Sequence, residues 1–309
     1  MNFKVVAIGE VLWDLLPTGP QLGGAPGNFA CHAHALGADT SLITRVGQDT
    51  LGQAILQRFT QLGLNHATVQ VDEQAPTGTV AVTFSAQGTP HFKICENVAW
   101  DRLESEPAAL ATVRRADAIC FGSLAQRTRQ ARTAIQSVLA AAPKQTIRVF
   151  DVNLRQHYFS RELIDESLQL ANVLKLNDSE LPILADMFKL AGSVRDQILR
   201  LAQKFSLQLV ALTRGGEGSL LYQRGQWSDR ASIRIEVVDT VGAGDAFTAA
   251  LVVGLLQKRA LDEMHELAGE VAGHVCSCAG ATPPLPETIR ARFLPPIPLG
   301  GARAGRLDQ

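Results

Sequence analysis

The chain has 309 residues, 46% of them hydrophobic, and a formal charge of −1 with acidic and basic residues interspersed. Such a length and apolar content suffice for one large α/β core, and the even charge argues against a nucleic-acid-coating surface or a polybasic membrane patch. Five scattered cysteines provide no disulfide framework; only Cys276 and Cys278 are close, and C-x-C without further ligands at metal spacing is weak evidence for a metal site. These thiols suit a reducing compartment, and a cytoplasmic protein is expected. The opening MNFKVVAIGEVLWDLL has no basic region followed by a cleavage site, and Gly9, Glu10 and Asp14 interrupt its first apolar run. No apolar stretch approaches the ~20 residues of a membrane span.

In chain order, short apolar runs alternate with amphipathic stretches. KVVAI (4–8) predicts a strand and VLWDLL (11–16) a second, shorter one. After GGAPGN, Phe29, Ala33 and Leu36 share a helical face that Gly37 ends. SLITRV (41–46) is the next strand; in 50–62, Leu51, Ile55, Phe59 and Leu62 share a face, and Gly63 stops the helix. TGTVAVTFSAQGTPHFKI (77–94) alternates with a period of two around Gln87-Gly88, which predicts a β-hairpin. Strands are then expected at 117–122, 147–152, 172–177 and 209–213, and a buried helix carrying Phe247, Leu251 and Leu255 begins near Gly244.

Buried strands alternating with helices predict an α/β fold with a doubly wound, mostly parallel sheet covered by helices on both faces. The 77–94 hairpin and the 11–16 strand predict a small β-sheet lid, formed by about 11–22 and 75–96. Strands this short cannot bury themselves alone, so the lid is expected to cover the main domain or to form a dimer surface. The expected organisation is one domain over 1–293 with a Pro/Gly-rich tail at 294–309.

Polar and glycine residues follow several strands: Gly9 and Glu10, Gly47 and Asp49, Asn153 and Arg155, Asn177 and Glu180, and Arg214 to Gly218. Ligands of open parallel sheets bind outside the carboxyl ends of the strands, so this set points to a crevice. VVDTVGAGDAF (237–247) carries the most specific chemistry. A helix start attracts anions, and Gly242, Ala243 and Gly244 let backbone approach one closely. Asp245 beside an anion makes sense if its carboxylate accepts a proton from a hydroxyl while a phosphoryl group moves onto that oxygen. As a plain first-turn acid it would be worth about 0.3–1 kcal/mol, and the motif alone leaves both readings open.

No G-x-x-x-x-G-K-[ST] occurs, and the first strand is followed by GEVLWD rather than G-x-G-x-x-G. Ser123 lacks a G-x-S-x-G frame. His32 and His34, two residues apart, face different sides of a helix, and the remaining histidines are isolated, so surface or satisfied core positions are expected. Asn28 offers donor and acceptor to a polyol, or simply caps a helix. Asp14 could take two sugar hydroxyls or face water in an edge strand. Trp100 is expected in the core, with Glu96 and Asn97 open between sugar and structure.

GGAPGNFACHAHALGADTSLITRVGQDTLG (23–52), followed far downstream by DTVGAGDAF, resembles the paired signatures of the PfkB, or ribokinase-like, carbohydrate kinases. The resemblance spans roughly residues 4 to 290, and GEVLWDLLP, DVNLR (151–155) and GATPPLP (280–286) look most like the fructokinase branch. It implies transfer of the γ-phosphoryl of MgATP to a sugar hydroxyl, with fructose as the first-choice acceptor at O6. It makes Asp245 the general base and Gly242, Ala243 and Gly244 the anion hole. Asp14, Gly24, Asn28 and Arg155 match sugar-binding positions. Asn177, Thr213, Gly215 and Gly218 match nucleotide-binding ones, and Glu180 a position associated with Mg²⁺ through water. Asp239 with Gly280 falls where many members hold a monovalent cation such as K⁺. Lids that meet across a two-fold would make the protein a homodimer; neither nucleic acid nor membrane is an expected partner. The alternatives are 2-keto-3-deoxygluconate, ribose, a nucleoside or a sugar phosphate as acceptor, or a non-catalytic sugar-binding regulator on the same fold. The aspartate of GAGD argues against the regulator, since a mere binder does not need it.

Overall fold

A computed structural model describes residues 3–17, 19–84 and 90–293. Its strands in chain order are β1 (Lys4–Ile8), β2 (Leu12–Leu16), β3 (Gly19–Gly23), β4 (Asp39–Gly47), β5 (Val69–Asp72), β6 (Gly78–Phe84), β7 (Pro90–Ile94), β8 (Ala118–Gly122), β9 (Ile147–Asp151), β10 (Val173–Asn177), β11 (Leu209–Thr213), β12 (Ser219–Gln223) and β13 (Gln226–Arg230). Nine of them form one sheet in the order β13-β12-β11-β10-β9-β8-β1-β4-β5. Every neighbouring pair from β11 to β5 is parallel, and β12 and β13 add an antiparallel edge.

Strand periodicity divides the core. Val6 and Ile8 of β1, with Ile119 and Phe121 of β8, pack on one face, while Val5, Ala7, Ala118 and Cys120 pack on the other. The second face is covered by two helices, Ala25–Ala35 and Ala243–Leu256, which pack on each other. Both are buried nearly all round, residues 26–33 in one and 246–254 in the other, which is why their sequences lack a polar stripe. The connection from β1 leads toward β4 and that from β8 toward β9, so β1 and β8 flank the point where the winding reverses. A crevice opens there at the strand ends.

The lid is a four-stranded sheet, β3-β2-β6-β7, with β2 and β6 parallel and the outer pairs antiparallel. Asp14 therefore lies in an inner strand, and the edge-strand reading of it is corrected. The turn expected at Gln87-Gly88 and the 294–309 tail lie outside the described residues. Three features had no counterpart in the sequence reading. β3 (GPQLG) has poor strand propensity and is held by its pairing with β2. β5 is only four residues long. The β12–β13 hairpin turns on Arg224-Gly225, both at positive φ (48° and 93°), a turn without the usual Asn-Gly or Asp-Gly signal. Among the described residues no helix is long and apolar enough to cross a membrane.

Candidate active site

A cavity of about 1470 Å³ runs along the strand ends beneath the lid. Its wall includes Asp14, Gly24, Asn28, Arg155, Asn177, Thr213, Gly215, Gly218, Asp239 and the whole stretch from Gly242 to Asp245. Residues from distant motifs are thus gathered into one cleft. Glu180 and Gly280 stand behind the wall rather than on it.

The two buried helices start at this cleft, each capped by a glycine at positive φ: Gly24 at 100° and Gly242 at 78°. A Cβ on Gly242 would overlap the backbone of Ala281, and one on Gly24 the carbonyl of Glu10, so both positions require glycine. The Ala243 amide closes a turn onto the Thr240 carbonyl at 3.3 Å. The next amides, of Gly244 and Asp245, have no intrahelical carbonyl to meet in a first turn, so free donors remain at this helix start beside the Gly242–Gly244 stretch that lines the cleft.

Asn28 caps nothing: it sits in the fourth position of its helix, one turn past the Gly24 cap. Its Nδ2 instead donates to Asp245 Oδ2 at 2.8 Å, across 217 residues of sequence. The amide's Oδ1 is buried with no protein partner, an acceptor presented to a ligand hydroxyl. Asp245 is partly exposed, toward the cleft it lines, and desolvation, reinforced by the charge of Asp151, pushes its carboxyl up to about 7. Lys175, the Asn28 hydrogen bond and Arg155 draw it back only in part. A carboxyl poised there at neutral pH is suited to accept a proton.

Lys175 and Asp151 were not singled out from the sequence. Lys175 Nζ contacts Asp151 Oδ1 at 3.0 Å, and Thr248 donates to Asp151 Oδ2 at 2.9 Å. Burial alone would lower the ammonium, but Asp151, Glu180 and Asp245 outweigh it and hold it above its ordinary value. Lysine in VLKLN and aspartate in RVFDV are charges inside buried parallel strands, a signal that could have marked both. A Cβ on Gly244 would lie 3.0 Å from Lys175 Nζ, so this cation lies directly beside the helix start.

The remaining anticipated residues order the loops. Glu180 accepts from the amides of Leu154 (2.9 Å) and Asn177 (2.8 Å), tying the loop that carries Arg155 to the 177–180 turn. Asn177 Oδ1 accepts from the amides of Ser179 and Glu180, closing that turn. Asp239 accepts from the amides of Val241 (3.0 Å) and Gly280 (3.1 Å) and so joins the two loops where a cation was expected. Arg155 reaches the cleft and donates to the Leu154 carbonyl at 3.0 Å. Beyond Gly215 and Gly218 the wall becomes apolar, with Ile233, Ile235, Val237 and Val241 exposed along it.

Other candidates settle as structural. Trp100 is fully buried under the Arg127 guanidinium, 4.0 Å from its ring centre. Glu96 accepts from Tyr158 Oη at 2.7 Å, and neither it nor Asn97 lies on the cavity wall. His32 bonds the Ala281 carbonyl at 2.9 Å, and His265 sits between Ser219 and Ser228, so both are satisfied core histidines. The described cysteines are free. Among the described residues no group of three or more His, Cys, Asp or Glu could hold a metal ion.

A doubly wound α/β domain with a small β-lid, holding a carboxylate at a glycine-capped helix start in a long cleft, has the architecture of the ribokinase-like proteins. The pfkB family of carbohydrate kinases matches residues 18–288, and the chain belongs to that family: it is a sugar kinase. The fructokinase of Escherichia coli is 29% identical over 303 residues, covering 93% of this chain and 97% of that protein. An uncharacterized sugar kinase from Pyrococcus horikoshii, solved in complex with ATP, is similar with a TM-score of 0.75 and 26% identity, covering 90% of this chain and 94% of that one. A Xylella fastidiosa fructokinase with bound ATP has a TM-score of 0.82 over 95% of this chain and 98% of that one; at 19% identity the likeness is one of fold.

Proposed function

We propose that the protein transfers the γ-phosphoryl group of ATP to a sugar hydroxyl, with fructose as acceptor and fructose 6-phosphate as product. The observation that carries this reading is Asp245: a desolvated, cleft-lining carboxyl held at about 7 and set at a glycine-capped helix start, with Asn28 donating to it. Similarity to a fructokinase over nearly the full length supports the choice of sugar, and the ATP complex of the Pyrococcus horikoshii relative supports the nucleotide.

In this reading the acceptor's hydroxyls lie against Asp14, Asn28 and Arg155, and the phosphates lie toward Gly242–Asp245. The Asp245 carboxylate takes the hydroxyl proton as that oxygen bonds the γ-phosphorus and the bond to the β-phosphate oxygen breaks, releasing ADP. The amides at the helix start and the Lys175 ammonium stabilise charge on the transferring group. The Asn177–Glu180 turn would hold the Mg²⁺ that arrives with the nucleotide, and that ion would supply neutralisation of phosphate charge. A monovalent cation such as K⁺ would be held at the loops that Asp239 and Gly280 join. The lid excludes water and so limits wasteful hydrolysis of ATP. Cytoplasmic residence, and a homodimer through the lid, where Leu15 is exposed, complete the proposal; light scattering decides the second.

The test is ADP release with MgATP against fructose, ribose, 2-keto-3-deoxygluconate, fructose 6-phosphate, adenosine and glucose, with and without K⁺. Selective turnover of fructose is expected. Selective turnover of another acceptor corrects the sugar and leaves the role of Asp245; silence across the panel despite ATP binding points to a regulator.

A further inference from the structure

We propose that Glu10 is a further acceptor-binding residue, and that the end of the cleft it shares with Asp14 and Asp245 selects an uncharged polyol over a sugar acid or a sugar phosphate. The inference rests on the sugar-kinase reading and narrows its substrate class.

Glu10 follows β1 at the point where the winding reverses, lines the cavity, and is only 2% exposed. Its Oε2 is buried with no hydrogen-bond partner. A polar atom buried in this way is costly unless a ligand completes it. The groups that act on it come from neighbouring elements: the Ala25 amide from the first buried helix, Asp245 from the second, and Arg155 from the loop after β9, while Asp14 of β2 lines the same cavity. Lys175 is engaged by Asp151. Among the described residues, this end therefore sets three carboxyl groups against the single guanidinium of Arg155.

Burial raises the Glu10 carboxyl to about 7; Asp245 adds to the rise, while backbone amides and Arg155 oppose it. Below that pH Glu10 is a neutral O–H donor, and a sugar hydroxyl is the group that can accept from it. A carboxylate or phosphate on the acceptor would instead force like charge against Asp14 and Asp245. The carboxyl group of Asp14 is also pushed upward, chiefly by burial, with Arg155 opposing, as expected of a pocket short of positive charge.

Initial rates of the full chain with MgATP test this between pH 5.5 and 8.5, using fructose, 2-keto-3-deoxygluconate and fructose 6-phosphate. For the wild type, kcat/KM with fructose is expected to exceed that with either anion by about 100-fold or more. Glu10→Ala should raise KM for fructose about tenfold or more, with kcat changing less. Glu10→Gln, which donates but cannot ionise, should restore most of that KM and abolish the decline in kcat/KM above about pH 7. Equal use of the anionic acceptors, an unchanged KM in a folded Glu10→Ala protein, or an alkaline decline that survives in Glu10→Gln would each overturn the proposal. If the wild type turns over no acceptor, the kinase reading fails instead. Calorimetric fructose binding by wild type against Glu10→Ala then decides the role of Glu10: weaker binding upholds it, equal binding or none overturns it.

Discussion

The two ends of the cleft are built in different ways. At the Asp14–Asn28 end, buried side chains are coupled to one another: Asn28 to Asp245, Asp151 to Lys175, and Glu10 to both Asp245 and Arg155. At the other end Thr213, Gly215 and Gly218 present mostly backbone, and exposed aliphatic side chains from Ile233 to Val241 form a soft wall. The first end recognises by charge and hydrogen bonds in a dry setting, where each group changes its neighbour's ionisation. The second recognises by shape and contact area, where single side chains matter little. Substitutions should therefore be severe at one end and mild at the other.

The sharpest test is Asp245→Asn, expected to keep the fold and nucleotide binding but to lower turnover by about 10²–10⁴-fold. Stopped assays of ADP production measure it, and near-normal turnover would remove Asp245 from the base role. The same variant reports on stability. In the unfolded chain an aspartate titrates at about 3.9, while in the fold this one is held at about 7. The native state thus binds the proton more tightly, and that contribution is full below about pH 4 and lost as pH rises through about 7. Asparagine cannot ionise, so its melting temperature should rise relative to wild type across that window, by on the order of a few degrees. A constant difference between pH 4 and pH 8 would contradict the raised Asp245 carboxyl.

Lys175→Met should come next. It leaves Asp151 charged and unpaired beside Asp245, at a cost of about 3–5 kcal/mol. Denaturant unfolding measures the loss, and the double variant with Asp151→Leu should recover part of it, because removing both charges leaves none uncompensated. If both single variants unfold like wild type, the coupled description of this end fails.

Gly242→Ala tests the helix start. The left-handed backbone and the overlap with Ala281 should cost on the order of 1–3 kcal/mol and displace the amides at the anion site. A larger fall in kcat than in thermal stability would place the effect at the phosphate. Smallest of all should be Val237→Ser at the soft wall, where KM for ATP is expected to rise on the order of threefold with kcat unchanged. A change in kcat comparable to that of Asp245→Asn would erase the contrast between the two ends.

Much of this molecule is determined by its sequence alone. Apolar runs and glycine stops set the order of strands and helices, because burial on a pleated strand or a helical face is a local pattern. GAGD marks a helix start with a carboxylate, because its glycines and aspartate are adjacent in the chain. Asp14, Asn28 and the glycines near 215–218 could likewise be marked as candidates from short motifs. Only the tertiary structure decided what these groups do to each other. The Asn28–Asp245 bond joins residues 217 positions apart, and the Asp151–Lys175 pair needs two neighbouring parallel strands in register. The rise of Asp245 and Glu10 to about 7 comes chiefly from burial, a property of packing that no residue carries by itself. Side chains of low strand propensity, as in β3, became a strand because a partner supplied the hydrogen bonds. Local pattern names the groups; distance and desolvation set their chemistry.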